Sequence, residues 1–382
     1  MLLDPDTGQR TLLAQRPDHD IYELIGVTPK VGPVGVEFYN NGPADRVYFD
    51  ESARQFSAAL DLSLPGMFHR VTSMSKDGTV RVIEAWPSGY PARYYLYDGA
   101  HHRLSALGEQ RPGIAPGTLG DVHFFQFTAR DGLKESGYVL TPHRSGPAHP
   151  ARLLVMAMGA VGEGMTSAHF FNAQDQYLSS RGYAVAHIAV RGSAGFGRAL
   201  EKAGDFQLAG KVVQDLEDAV GNLAQAGLVD PRRVAIMGYG LGGLFALHTA
   251  AVSPAFHAVI AYNATCDLNA ASIGWLSSSH ADTPTIIKLA GGTQAAYNLV
   301  HVFEPDSFMA KLSAPALLIY ASSYDYTGYE REAGIIRTSF DRHHRAYEWY
   351  HLDFHAADHV KGEVYQAQLY TKIADYLDQT LK

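Results

Sequence analysis

The stretch of this chain best suited to chemistry is Gly238–Tyr239–Gly240–Leu241–Gly242. The apolar run Val234–Met237 enters it, and Leu244–Ala251 leaves it with helix-forming composition. A strand, a sharp turn and a helix with the spacing Gly-x-Ser-x-Gly present a nucleophilic serine. Here Gly240 stands at the serine position, so the turn has no side chain with which to attack a carbonyl. Ser253 lies beyond the helix and Ser193 belongs to another loop, so neither replaces it. Two other groups invite a chemical reading. His351, His355 and His359 recur every four residues, which on a helix would align metal ligands. The preceding Tyr347–Tyr350 reads as a strand, however, so the three do not share a helix and no metal is expected. Cys266, the single cysteine, follows a strand and reads as a buried, inert thiol.

The elements that must position these residues change in character along the 382-residue chain. Residues 1–118 carry short alternating runs, such as Arg46–Phe49, Val80–Ala85 and Ala92–Tyr97, separated by turn signals at Asp4–Gly8, Lys76–Gly78 and Asp98–Gly99. That pattern predicts an antiparallel β module with few helices. Arg111–Gly117, rich in proline and glycine, reads as a linker. Over 119–382, apolar strands alternate with helices. Leu153–Met158, Tyr183–Val190, Ala258–Tyr262 and Ala316–Tyr320 are buried-strand runs. Gln174–Arg181 and Val212–Ala226 read as helices, the latter with apolar residues at 212, 213, 216, 219, 220 and 223, and a last helix runs from about Glu363 to Leu381. Near-continuous apolar strands between helices imply a mostly parallel sheet covered on both faces, an α/β domain.

Composition narrows the function classes. A net charge of −8 without a dense Lys/Arg run disfavours nucleic acid as a partner. No stretch approaches the uninterrupted apolar length of a membrane span. One cysteine excludes an intrachain disulfide, and MLLDPDTGQR lacks a basic region followed by an apolar stretch, so a cytoplasmic location is expected.

A wider set of residues carries a family resemblance. Arg181–Val185, Arg191–Arg198, Gln214–Val220 and Val229–Gly238 together resemble the prolyl-oligopeptidase-type serine peptidases, relatives of acyl-aminoacyl-peptidases and dipeptidyl-peptidases, over roughly 119–382. The resemblance implies an α/β-hydrolase fold, and the N-terminal part is similar to the last blades of that family's propeller. At about 40–50 residues per blade, 118 residues supply only two to three blades, a truncated propeller. The resemblance places the family's acid at Asp325 and its base at His355, with Tyr324 and Tyr326 beside the acid. It places Tyr239, Gly240 and Leu241 in the substrate pocket, the Leu241 amide being a candidate oxyanion donor. The family's His-Gly-Gly-Pro-like turn is here Met158–Gly159–Ala160–Val161–Gly162–Glu163, which puts Glu163 near the oxyanion site, where its charge would oppose an oxyanion unless protonated or turned away. The glycines at 238, 240, 242 and 243 read as turn and close-packing residues, and no cofactor is implied.

With the nucleophile lost and the acid and base positions kept, the expected function is non-hydrolytic acid–base chemistry by His355 and Asp325. Elimination, isomerisation or cyclisation of a small peptide-like or acyl-bearing molecule would fit. The alternatives are a catalytically silent ligand-binding or regulatory homologue, or a peptidase or esterase whose serine was replaced by engineering. The expected partner is a small molecule or short peptide, and the family's habit of association admits a homo-oligomer.

Overall fold

Eight strands form one sheet: β1 (Asp121–Thr128), β2 (Lys134–Thr141), β3 (Ala151–Met156), β4 (Tyr183–Ala189), β5 (Val229–Tyr239), β6 (Ala258–Tyr262), β7 (Ala316–Ser322) and β8 (Tyr347–Asp353). Their spatial order is β1-β2-β4-β3-β5-β6-β7-β8, antiparallel across the first two pairings and parallel from β4 onward. The computed structural model of the chain describes all residues except 1, 5, 27–31, 39, 41, 43, 144, 165–168, 267–269, 280, 323–327 and 354–361.

Alternation along the central strands sends successive side chains to opposite faces. Leu153, Val155, Val234, Ile236 and Leu318 join one core with the helices α2 (Lys211–Gln225), α3 (Leu241–Val252) and α4 (Gly328–Arg342). Leu154, Val185, Ala235, Met237 and Ile319 join a second core with α1 (Ala173–Ser180) and α5 (Gly362–Thr380). The apolar face that periodicity assigns to 212–226 is the buried face of α2, and it also buries Asp215. The chain thus has the α/β-hydrolase fold, with both faces of a mostly parallel sheet covered.

Ahead of this sheet lie antiparallel sheets. Phe68–Met74, Val80–Trp86, Arg93–Asp98 and Arg103–Glu109 form a four-stranded meander, and Ile21–Ile25, Gly35–Phe38 and Asp45–Tyr48 form a three-stranded sheet. A four-stranded meander is the unit of a propeller blade. Between the two sheets sits a 13-residue helix, Glu51–Ser63, capped by Asp50 through its bond from the Ala53 amide. The alternating β pattern gave no warning of so long a helix. The module rests on loops that follow β3 and β4. His169 stacks on Phe68 at 4.0 Å and bonds the Gly42 carbonyl, Phe170 stacks on Trp86, and Asp20 exchanges backbone and side-chain bonds with Gly195. Gln176 of α1 ties the two parts further, accepting from the Gly120 amide and donating to the Gly89 carbonyl. These loops leave the C-terminal ends of their strands, where open α/β sheets bind ligands. Among the described residues, no helix is long and apolar enough to cross a membrane.

The loop after β4 is fixed by Arg191, whose guanidinium forms two-pronged bonds to Asp215 and Asp131. Its backbone amide donates to Glu135 of β2 at 2.9 Å. Burial, reinforced by the nearby charge of Asp215, pushes the Glu135 carboxyl well above its ordinary 4.5. The folded protein therefore holds a proton that the unfolded chain releases as pH rises above about 4.5, so this group's contribution to stability fades upward from there. The loss is at most about 1.4 kcal/mol per pH unit. Thermal unfolding followed against pH should show stability declining between about 4.5 and about 9 in the wild type and a flatter profile in Glu135→Gln.

Candidate active site at the strand–helix elbow

β5 ends at Tyr239 and α3 begins at Leu241, so the chain turns from strand to helix at one residue. That residue, Gly240, has φ 54 and ψ −120. Such backbone is costly for side chains other than glycine. The turn is closed by backbone bonds alone. The Gly240 amide donates to the Tyr262 carbonyl at 2.9 Å, and its carbonyl accepts from Gly243 and Thr265. Gly238 is required for a different reason: a Cβ there would lie 2.1 Å from the Gly242 carbonyl oxygen. A Cβ on Gly240, by contrast, meets nothing within 4 Å. The position opens onto free space, which is what a nucleophile needs, and it holds none.

Glu163 occupies the other half of the site. Its Oε2 accepts from the Gly159 and Ala160 amides, the latter at 3.1 Å. A Cβ placed on Gly159 would lie 3.0 Å from that oxygen and 3.1 Å from the Gly242 nitrogen, so the carboxylate sits beside the first turn of α3. There the positive end of the helix dipole favours it. Glu163 is thus not turned away from this part of the elbow. Its carboxylate is turned onto the amides of the loop and fills their donor capacity with charge the protein already carries.

Tyr239 lies between this site and a neighbouring hollow. Its hydroxyl donates to Gln174 Oε1, and its ring meets Tyr262 edge-on at 5.0 Å. Tyr262 in turn bonds Tyr365 through their hydroxyls. Desolvation of the Tyr239 hydroxyl, although the residue as a whole is 41% exposed, raises its phenol above its ordinary value, which favours the neutral donor form. Leu241 packs half-buried against the larger core and contributes the first amide of α3.

Ser322 and Asp353 are register partners at the C-terminal ends of β7 and β8, on the same sheet edge as Gly240. Beyond these ends, Tyr324, Asp325, Tyr326 and His355 lie outside the described residues, as does His359. His351 stands on β8, in register with Tyr320, which is a strand position. Cys266 is buried, its amide donates to Glu332, and burial pushes its thiol up to about 12. It is no replacement nucleophile.

A cavity of about 310 Å³ adjoins the elbow, lined among others by Met158, Glu163, Gln174, Asp175, His187 and Tyr239. Two of these residues carry a pairing that local sequence patterns did not single out. His187 Nε2 lies 2.9 Å from Asp175 Oδ2, both residues being buried, and the imidazole stacks on Tyr138 at 4.7 Å. The one available signal was a histidine inside an otherwise apolar buried strand, Tyr183–Ala189.

The two glycines of the elbow differ in what they tolerate. Gly240→Ala should keep the fold and lower stability by about 1–3 kcal/mol, the cost of positive φ. Gly238→Ala should cost more than about 4 kcal/mol, because strand and helix backbones must separate. Urea unfolding of the two variants checks the order.

The geometry agrees with comparisons to known proteins. Residues 168–382 match the model of the prolyl oligopeptidase family (Peptidase_S9). The dipeptidyl aminopeptidase BIII of Pseudoxanthomonas mexicana is 28% identical over 250 residues, covering 63% of this chain and 35% of that protein. The dipeptidyl peptidase family member 6 of Caenorhabditis elegans is 28% identical over 193 residues, 45% of this chain and 26% of that protein. The chain therefore spans well under half the length of these relatives. Among solved structures, a puromycin-hydrolyzing peptidase of Mycobacterium tuberculosis superposes with a TM-score of 0.69 at 20% identity, over 95% of this chain and 54% of that one. The acylaminoacyl peptidase of Pyrococcus horikoshii gives 0.65 at 16%, over 96% and 56%. With over half its length matched by the family model and an elbow built as the fold requires, the chain belongs to the prolyl oligopeptidase family.

Proposed function

We propose that this protein is a non-hydrolytic enzyme of peptidase descent. It would work in the old pocket on a small peptide-like or acyl-bearing molecule by acid–base chemistry, such as elimination, isomerisation or cyclisation. The observation that carries this reading is the joint state of the elbow. Its backbone is intact, its nucleophile is glycine, and a carboxylate holds the neighbouring loop amides. Acyl transfer needs an attacking group and donors free to receive the oxyanion. The elbow lacks the first, and Glu163 engages the Gly159 and Ala160 amides that would supply part of the second. A proton transfer needs neither, only a base within reach of the ligand. In this reading Asp325 orients His355, which takes or gives the proton, as the family resemblance implies. Tyr239, Leu241, Tyr324 and Tyr326 shape the pocket, and no acyl-enzyme forms.

A peptidase that lost only its serine would be rescued by returning it. Here Gly240→Ser alone should yield no hydrolysis of aminoacyl-arylamides, whereas Gly240→Ser with Glu163→Ala should yield measurable hydrolysis because the amides are released. Burst and steady-state release of the arylamine distinguish the cases. Hydrolysis by the single variant would overturn the reading in favour of a simple serine replacement. For a ligand that is turned over, His355→Ala should abolish turnover, and unchanged turnover would overturn the role given to His355 and Asp325.

A further inference from the structure

The cavity beside the elbow contains a second histidine–carboxylate pair, separate from the positions the family resemblance marks as base and acid. Alternation along β4 puts His187 on the same face as Tyr183 and Val185, toward α1. On α1, the Asn172 side chain caps the amides of Gln174 and Asp175, which sets the first turn and brings Asp175 over the end of β4. Asp175 is 1% exposed and His187 7%, and Tyr138 clamps the imidazole from the neighbouring strand. The carboxylate bond is made at Nε2. A carboxylate there holds the proton on Nε2 and leaves Nδ1 as an acceptor.

Two further observations point to a ligand. Asp175 Oδ1 has no hydrogen-bond partner among the described residues and lies buried behind the cavity wall, so its negative charge stays there uncapped. The lining also carries a second carboxylate, Glu163, and no Lys or Arg among the described residues, while Met156, Met158 and Ile188 supply apolar wall. The walls therefore carry two carboxylates and no cation among the described residues, beside the neutral polar side chains of Asn172, Gln174, Ser193, Tyr239 and Tyr370. At about 310 Å³ the space is at the small end of ordinary ligand sites, roughly 300–1,000 Å³.

We propose that this cavity binds a small ligand through an uncharged amide or an ammonium group on an apolar stem. His187 Nδ1 accepts its hydrogen bond, and Asp175 fixes the histidine tautomer and supplies negative charge behind it. Carboxylates and phosphates are excluded by the two acidic side chains. The inference deepens the proposed function by naming what its ligand carries, and it rests on that reading of a pocket that still receives a ligand.

The test uses nitrogen-15 histidine labelling of the full chain with three probes of matched stem: butylammonium, butyramide and butyrate. In the free protein His187 should show the tautomer protonated at Nε2. Butylammonium and butyramide should shift the Nδ1 resonance and give ligand-side saturation transfer, and butyrate should do neither. Asp175→Asn, checked for folding by thermal unfolding, should weaken both productive probes about tenfold, as loss of its charge-assisted bond to His187 implies. If that variant does not fold, the wild-type tautomer and the ranking of the probes decide alone. A proton on Nδ1, an equal response to butyrate, or no response at His187 to any probe would overturn the proposal. These readouts are independent of hydrolysis. A silent His187 in a protein whose Gly240→Ser variant is inactive removes this inference alone, whereas hydrolysis by that variant removes only the proposed function.

Discussion

The contact between the end of β5 and the first turn of α3 is the constraint on which the site depends. Two backbones meet at Gly238 and Gly242 with no room for a Cβ, and the chain must reverse direction in one residue between them. That forces Gly240 into positive φ and locks it to Tyr262 and Thr265 through its own amide and carbonyl. None of these bonds uses a side chain at position 240. The elbow is consequently independent of the nucleophile it normally carries, and a glycine there relieves strain without dissolving the turn. A glycine at position 240 and an intact strand–helix turn are physically compatible.

A carboxylate stands beside the elbow. Glu163 lies against loop amides and beside a helix start, two features that stabilise an anion, and it is tethered to them through a turn closed by its own amide on the Ala160 carbonyl. A carboxylate so placed competes with any oxyanion formed by a substrate. On the far wall stand the paired Asp175 and His187, and no Lys or Arg lines the hollow among the described residues.

The β module matters to this site through the loops it holds. The loop after β4 is gripped from inside by Arg191 with its two carboxylates and from outside by Asp20 on Gly195. The segment after β3 is pinned by Phe68 and Trp86 on His169 and Phe170. Burial lowers the His169 imidazole below its ordinary value, which suits its use as a neutral stacking partner. Ordering loops at the strand ends limits the freedom of everything that lines the cavity.

By itself the sequence determined the alternation of strands and helices, the buried face of α2 and the glycine at the elbow. Each is written in the types and spacing of neighbouring residues, which local backbone geometry reads directly. The 13-residue helix Glu51–Ser63 escaped that reading, because its surroundings alternate with the period of a strand. Only the tertiary structure decided where charged side chains point. Glu163 could have faced solvent, and its turn onto the Gly159 and Ala160 amides follows from how the loop folds against α3. His187 and Asp175 are 12 residues apart across a helix-to-strand connection, and Gln176 reaches Gly89 across 87 residues. Pairings of that kind are set by chain topology. A one-dimensional pattern contains the two partners but not the distance between them.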